Sequence, residues 1–370
     1  MKTAFVGGTW DEYGGKPSSV FNQLAAGYKT TSVHDVVIYN GGFFYSLDAL
    51  QLGDCQVIVW MPNVPNELQK IVNIKAKYPK AIVVTSKRNT ENDSYTFQDI
   101  IAHGLKLKSN LILEIGREPN GKRFSGRLFD PLGNVWCTET TDFYKLGIYM
   151  ENRCLALVYV QRQGTIPSPE KTRLSYDINE IDDFCEILRN FAEVFHKLIN
   201  PSEGVTRFLG NASFRCMRGF PSFKTDTGDI FVSKRNVDKR SITPDAFVQV
   251  GLNDETDVVW YRGPNKPSVD TVIQVRLYNL PLFCNIKYMV HSHVYIEDAP
   301  FTTKMIPCGG LQEISEIVNA VEKISHPNMA LGRFAINLLG HGSIIFASQL
   351  NLVNKFKFVS RPSPEIMARI

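Results

Sequence analysis

The stretch "MVHSHVYIEDAP", residues 289–300, sets two imidazoles two positions apart at the end of an apolar run, in a 370-residue chain with only seven histidines. In an extended strand, residues i and i+2 project to the same face, so His291 and His293 would converge on one point. Two convergent imidazoles are half of a metal site, and the other half must come from elsewhere in the chain. "LLGHGSIIF" (338–346) offers His341 between two glycines, which let backbone and ring approach a ligand closely. "NKPSVDTVIQVRLYNLP" (265–281) offers the carboxylate of Asp270. Three neutral imidazoles leave open positions on a divalent ion such as Zn2+ or Mn2+, which suits Lewis-acid chemistry on a carbonyl or enediolate. A carboxylate beside them completes the shell or moves protons. A plainer reading of the same residues makes the histidines part of a polar edge strand, "GHG" a tight turn and "PSVD" a helix cap.

The elements that must hold these residues follow from periodicity. "INEIDDFCEILRNFAEVFHKLI" (178–199) has apolar residues at Ile181, Phe184, Ile187, Leu188, Phe191, Val194, Phe195 and Leu198, stepping by three and four around one face of a helix. His196 near its end reads as a cation favoured by the helix C-terminus. After residue 203 come short strands and turns, then a helix at "LQEISEIVNAVEKIS" (311–325). Glu297, Asp298, Glu313 and Glu316 are the carboxylates near the histidine segments, and none is assigned a role.

The first half alternates strand-like and helix-like segments. "KTAFVGG" (2–8), "HDVVIYN" (34–40), "CQVIVWM" (55–61) and "AIVVTS" (81–86) read as strands, with helices at "KPSSVFNQLAAGY" (16–28) and "NELQKIVNIKAKYP" (66–79). That alternation implies a mainly parallel sheet covered on both faces. The expected organisation is an α/β Rossmann-like domain over 1–165, a linker over 166–177 and a second α/β domain over 178–370.

Composition narrows the function classes. The net charge of +4 is too small, and the basic residues too scattered, to imply a nucleic-acid partner. The densest basic run, "SKRNVDKR" (233–240), reads as a solvated loop. No apolar stretch approaches the ~20 residues of a membrane span, and the apolar part of "MKTAFVGGTW" is too short for a signal peptide. Seven dispersed cysteines without a CxxC pair fit reduced thiols and a cytoplasmic protein.

The order of the second-half motifs resembles the class II aldolase/adducin family over roughly residues 180–350. "GNASFR" (210–215) stands where that family has a Gly-Asn-x-Ser-x-Arg turn, and "IFVSKRNVDKRSITPDAFVQV" (230–250) where it has a phosphate loop. "PSVD" (267–270) takes the place of Pro-Ser-Ser-Glu or Pro-Ser-Ser-Asp, "VHSH" (290–293) the His-x-His strand, and "GHG" (340–342) the later histidine. The resemblance implies His291, His293 and His341 as metal ligands. Asp270 falls in the position of the catalytic carboxylate, and its aspartate leans toward metal binding or an epimerase-like role. Asn211, Ser233 and Ser268 would hold a substrate phosphate. Val269 replaces the second serine, and Arg235-Asn236 the family's Ser-Gly, so the charge of Lys234 or Arg235 would substitute for lost hydroxyls.

What the resemblance implies, then, is a metal-dependent lyase or epimerase. It would act on a sugar phosphate or related hydroxy-carbonyl compound through a metal-stabilised enediolate. A homo-oligomer, by family resemblance a tetramer, would have a small phosphorylated molecule as substrate and no membrane partner. Because adducin-like members keep the fold without the chemistry, a non-catalytic binding or scaffold protein is the alternative. The first half carries a third reading. "VGGTWDEYGGKPSSV" (6–20) puts Gly7, Gly8, Gly15, Lys16 and Ser18 between a strand and a helix N-terminus, where a nucleotide or phosphate binds in parallel sheets. Neither the Rossmann nor the Walker fingerprint is present. A nucleotide-dependent transferase centred there, on a domain that resembles flavodoxin-like or nucleoside-deoxyribosyltransferase-like folds, completes the set. "GRLFDPLGNVWCTETTDF" (126–143) reads as a lid or a hairpin.

Overall fold

β-branched runs too short to be helices form the first sheet. Its strands are β1 (Lys2–Gly7), β2 (Asp35–Asn40), β3 (Val57–Trp60), β4 (Ile82–Arg88), β5 (Leu111–Arg117), β6 (Phe124–Phe129) and β7 (Val135–Thr140). They lie in the order β2-β1-β3-β4-β5-β6-β7; the first five are parallel and the last two antiparallel. The parallel order 2-1-3-4-5 is that of flavodoxin-like sheets. The computed structural model describes residues 1–8, 18–29, 35–40, 52–62, 74–89, 94–117, 123–169, 178–199, 210–216, 229–253, 255–324 and 332–360. The chain divides into two compact units between Tyr159 and Val160.

Strands buried on both faces need a core on each side. Phe5, Val57, Val59 and Val84 pack with α1 (Ser19–Tyr28), while Ala4, Val6, Ile58 and Val83 point the other way, onto the Leu52–Cys55 segment and α2 (Ile74–Lys77). Helix α1 starts where the Ser18 hydroxyl accepts the Phe21 N–H, and α3 (Phe97–Lys106) starts with a reciprocal Thr96–Asp99 capping box. The "DPLGN" segment is a hairpin tip: the Asp130 carboxylate accepts from the Leu132 and Asn134 N–H groups and from the Trp136 indole. Of the residues weighed for a nucleotide or phosphate, Gly7 ends β1, Gly8 has a left-handed φ of 91° and Ser18 caps α1. Gly15 and Lys16 lie outside the described residues, as do 66–73 of the second expected helix and 170–177 of the expected linker.

Helix α4 (Phe143–Arg162) leads into the second unit, where β8 (Ile166–Pro167) is an edge strand. The other strands are β9 (Asn211–Cys216), β10 (Asp229–Ser233), β11 (Phe247–Asn253), β12 (Val258–Tyr261), β13 (Tyr288–Ser292), β14 (Tyr295–Ile296), β15 (Arg333–Leu338), β16 (Gly342–Ala347) and β17 (Phe358–Val359). Eight of them form a sheet in the order β15-β16-β13-β9-β10-β11-β12-β8, antiparallel except for the β12–β8 edge; β14 and β17 pair separately.

The period of two sorts side chains onto two cores. Phe214, Phe231, Tyr288, Val290 and Ile345 face α5 (Ile178–Ile199), which packs its apolar face there through Ile181, Phe184, Leu188 and Phe191. Ile230, Val232, Met289 and Ile336 face the opposite way, toward α6 (Thr271–Tyr278) and α7 (Gln312–Val321). Helix α8 (Leu350–Val353) follows β16. His196 is exposed. Among the described residues, no helix is long and apolar enough to cross a membrane.

Candidate metal centre

Strand β9 lies between β13 and β10, with its alternate residues Asn211, Ser213 and Arg215 turned toward α6. Asp270, Gln274 and Tyr278 recur every four residues and so share one face of that helix. The two periods meet rung by rung. Asn211 Nδ2 donates to Asp270 Oδ2 at 3.1 Å, and Gln274 Nε2 donates to Asn211 Oδ1 at 2.5 Å. The Ser213 and Tyr278 hydroxyls are 3.2 Å apart, and Arg215 donates to the carbonyls of Tyr278, Phe283 and Cys284. Arg215, a residue 2% exposed, closes the C-terminal end of α6 and the turn after it with its guanidinium, where a cation suits the helix-end carbonyls.

Asn211 pairs with His291 across β9 and β13, so the strand register carries the imidazole to the same face as Asp270. His291 is in β13; His293 lies just beyond it, in the bend leading to β14, and His341 in the turn before β16. The expected single strand holding both histidines therefore ends one residue short of the second, yet the rings still converge. Their centroids are 4.9 Å (His291–His293), 4.6 Å (His291–His341) and 5.3 Å (His293–His341) apart, and one ligand atom from each lies within 4.8 Å of the others. Glycine makes this approach sterically feasible. Gly342 has a φ of +137°, and a Cβ there would be driven into the Ser292 carbonyl; a Cβ on Gly210 would lie 2.6 Å from the His291 carbonyl oxygen.

Two of the rings, those of His291 and His341, are oriented from behind. His291 Nδ1 lies 2.9 Å from the Ser343 carbonyl oxygen, an acceptor only, so Nδ1 carries the proton and Nε2 the lone pair. His341 Nδ1 lies 2.9 Å from Glu313 Oε1, the carboxylate–imidazole arrangement that supports metal-binding histidines. The Nε2 atoms of His291 and His341 are buried and have no hydrogen-bond partner, a costly state for polar atoms that a cation would relieve. These residues fit a divalent ion.

Burial, then the neighbouring His341, pushes the His291 imidazole down to about 4, so it is neutral at ordinary pH as a ligand must be. Burial lowers His341 too, but Glu313 and Cys308 outweigh it and raise that ring well above the usual histidine range, so an ion binding at its Nε2 would displace a proton. Asp270 is raised by burial, yet His341, His291, the Cys308 thiol and the Gly309 N–H together hold it below the ordinary carboxylate value. Its Oδ2 is 3.7 Å from His291 Nε2, and its Oδ1 accepts from Cys308 Sγ at 3.1 Å. Although Asp270 occupies the N-cap position of α6, its side chain makes no capping bond.

The residues weighed for phosphate form a neighbouring patch. The Arg235 N–H donates to the Lys266 carbonyl and the Ser268 N–H to the Ser233 carbonyl, so the Ser233–Arg235 turn lies beside Ser268. The Ser233 hydroxyl accepts the Ala212 N–H, Lys234 Nζ lies 3.3 Å from Asp245, and Arg235 is exposed. The Asn211 amide is committed to Asp270 and Gln274. Lys239, in the basic run read as a solvated loop, is half-buried; burial pushes its amine down to about 8, against the pull of Asp238 and Asp270.

Glu313, Gln274, Lys239 and Cys308 are the site residues that sequence reasoning left without a role. Gln274 sits one helical turn beyond Asp270, a spacing that could have singled it out. For Cys308 no sequence signal exists.

Residues 189–347 match the family described as the Class II Aldolase and Adducin N-terminal domain. The C-terminal half of the chain is thus a class II aldolase/adducin domain. Its solved likenesses include a sugar-phosphate aldolase from Thermotoga maritima, at 13% identity, covering 50% of this chain and 95% of that one, with a TM-score of 0.30. A second is the N-terminal class II aldolase domain of a conserved protein from Thermoplasma acidophilum, at 16% identity, covering 50% and 90%, also with a TM-score of 0.30. At these values neither carries an argument about activity. No curated protein matches the chain.

Proposed function

We propose that the C-terminal unit is a metal-dependent enzyme of the lyase or epimerase type, acting on a phosphorylated hydroxy-carbonyl compound through an enediolate. The observation that carries this reading is the pair of buried, unpartnered Nε2 atoms of His291 and His341, converging with His293 and backed by Ser343 and Glu313. His291, His293 and His341 would hold Zn2+ or Mn2+. When bound, the ion supplies Lewis-acid polarisation of the substrate carbonyl.

The chain's own residues do the rest. Asp270, kept ionised beside the imidazoles, is the group able to accept the proton from the carbon next to the carbonyl, or to complete the ligand set. Asn211, braced by Gln274, fixes the direction in which that carboxylate points. The Ser233–Lys234–Arg235 turn and Ser268 would take the phosphate, with the two cationic side chains replacing the missing hydroxyls. Lys239, electrostatically coupled to Asp270, would add a positive group near that carboxylate.

The test exploits what aldol cleavage, epimerisation and dehydration share. Metal-loaded protein is incubated in D2O with a panel of ketose and aldose phosphates, and exchange at the carbon next to the carbonyl is followed by NMR. Exchange in the wild type that falls by about 100-fold or more in Asp270→Asn is the expected result. Fully loaded protein that exchanges no substrate proton and cleaves no member of the panel would refute the reading and favour a non-catalytic domain.

A further inference from the structure

Among the seven cysteines, Cys308 is set apart by its neighbours. It precedes Gly309, whose φ of +81° and close approach to Val269 bring the loop against the start of α6. The Gly309 N–H bonds the Asp270 carboxylate, and Cys308 Sγ lies 3.1 Å from Asp270 Oδ1. The loop then turns into α7 through bonds from Gly310 N–H to the Pro307 carbonyl (2.8 Å) and from Glu313 N–H to the Gly310 carbonyl (3.0 Å). One segment therefore presents a thiol to Asp270 and, five residues on, the carboxylate that orients His341.

Two groups of donor atoms emerge among the described residues, and they share a member. His291, His293 and His341 form one; Asp270, Cys308 and His341 form the other, again with all atoms within 4.8 Å. That limit is close to twice the roughly 2.0–2.3 Å bond that nitrogen or sulfur makes to zinc. Beside it, the Nε2 atoms of His291 and His341, on residues 2% and 1% exposed, are buried without a hydrogen-bond partner.

Resting on the metal-centre reading above, we propose that Cys308 is a protein ligand of the same ion, its thiolate taking the position between Asp270 and His341. Without an ion, burial and the Asp270 charge push the thiol up to about 11, and its proton bridges to Asp270. On binding, the S–H bond breaks, its proton leaves to solvent, and the sulfur lone pair forms the bond to the ion. Two consequences follow from the chemistry of the donor set. A thiolate beside three imidazoles selects zinc or cobalt over manganese or magnesium, which prefer oxygen. It also occupies a coordination position that a substrate oxygen must share or take over.

Cobalt separates this inference from the reading it rests on. The full-length protein is titrated with Co2+, and the visible d–d bands report the imidazole site while a near-ultraviolet sulfur-to-metal charge-transfer band reports a thiolate. Both sets of bands are expected in the wild type. Cys308→Ser and Cys308→Ala should keep the visible bands and lose the charge-transfer band, and their preference for zinc over manganese should fall at least about tenfold. Visible bands without charge transfer in the wild type overturn the role of Cys308 and leave the histidine centre standing. The same is true of charge transfer that survives in both variants. Absence of any cobalt binding overturns the centre and the inference together. The wild-type spectrum decides the matter even if both variants fold poorly.

Discussion

Replacing Glu313 isolates the support behind the metal centre without touching a proposed ligand. Its Oε1 lies 2.9 Å from His341 Nδ1, and both side chains are almost wholly buried. Glu313→Ala would leave that N–H without an acceptor and free the ring to turn, so Nε2 would no longer be held toward the other imidazoles. Loss of such a supporting partner weakens metal binding by roughly 10–100-fold, or about 1.4–2.8 kcal/mol. The metal-free protein should lose about 1–3 kcal/mol of stability as well, because a buried donor is left unpaired. Glu313→Gln keeps a carbonyl oxygen as acceptor and removes the charge, so its affinity should lie between those of the wild type and the alanine variant. Competition against a chromophoric zinc chelator measures the affinities, and urea unfolding of metal-free protein measures the stability. In a His341→Ala background the Glu313→Ala change should have little further effect on affinity, since the two groups act as one unit. Wild-type affinity in Glu313→Ala, or full additivity with His341→Ala, would refute the reasoning.

Other expectations rest on separate parts of the molecule. Gly342→Ala combines a φ unsuited to L-residues with a collision against the Ser292 carbonyl, and should lower stability by about 2–4 kcal/mol in thermal unfolding. A melting temperature like the wild type's would mean that β13 and β16 can part at no cost. Arg215→Met removes the donor to three carbonyls at the end of α6 and should cost about 3–5 kcal/mol, with Arg215→Lys recovering only part; equal stability of all three proteins would contradict the clamp. In the N-terminal unit, burial and the charges of Lys87 and Lys106 hold His103 at about 4 against an ordinary 6.5. Its protonation is therefore disfavoured in the folded state, so stability falls as pH drops from 6.5 toward 4 and levels off below, by up to about 3 kcal/mol. His103→Gln should flatten that stretch of the stability–pH curve, and an unchanged slope would rule His103 out as its source.

How much of this was legible in the sequence depends on how local each signal is. The α5 stripe needs only residues three and four apart, and the helix found over Ile178–Ile199 spans the same residues. The glycines around His341 announced a close approach, but which backbone comes close, that of Ser292 and His293, depends on β13 pairing with β16. Asp270 sits where a helix cap was the plainer reading; its oxygens instead meet Asn211, 59 residues away, and Cys308, 38 residues away. Gln274, Glu313 and Cys308 were left without a role for the same reason. Each acts on a partner brought near only by the order of the sheet strands, and single residues in loops or on mixed helix faces leave no periodic trace. His293 shows the converse, since the convergence expected from a two-residue period persists although the strand ends at Ser292.

Bound metal, measured by elemental analysis after loading the purified protein with Zn2+ or Mn2+, tests the central claim most directly. About one equivalent per chain in the wild type, lost in both His291→Ala and His341→Ala while each variant remains folded, is the predicted result. A wild-type protein that retains no metal under either loading would contradict it, and the three imidazoles would then be packing groups of the fold.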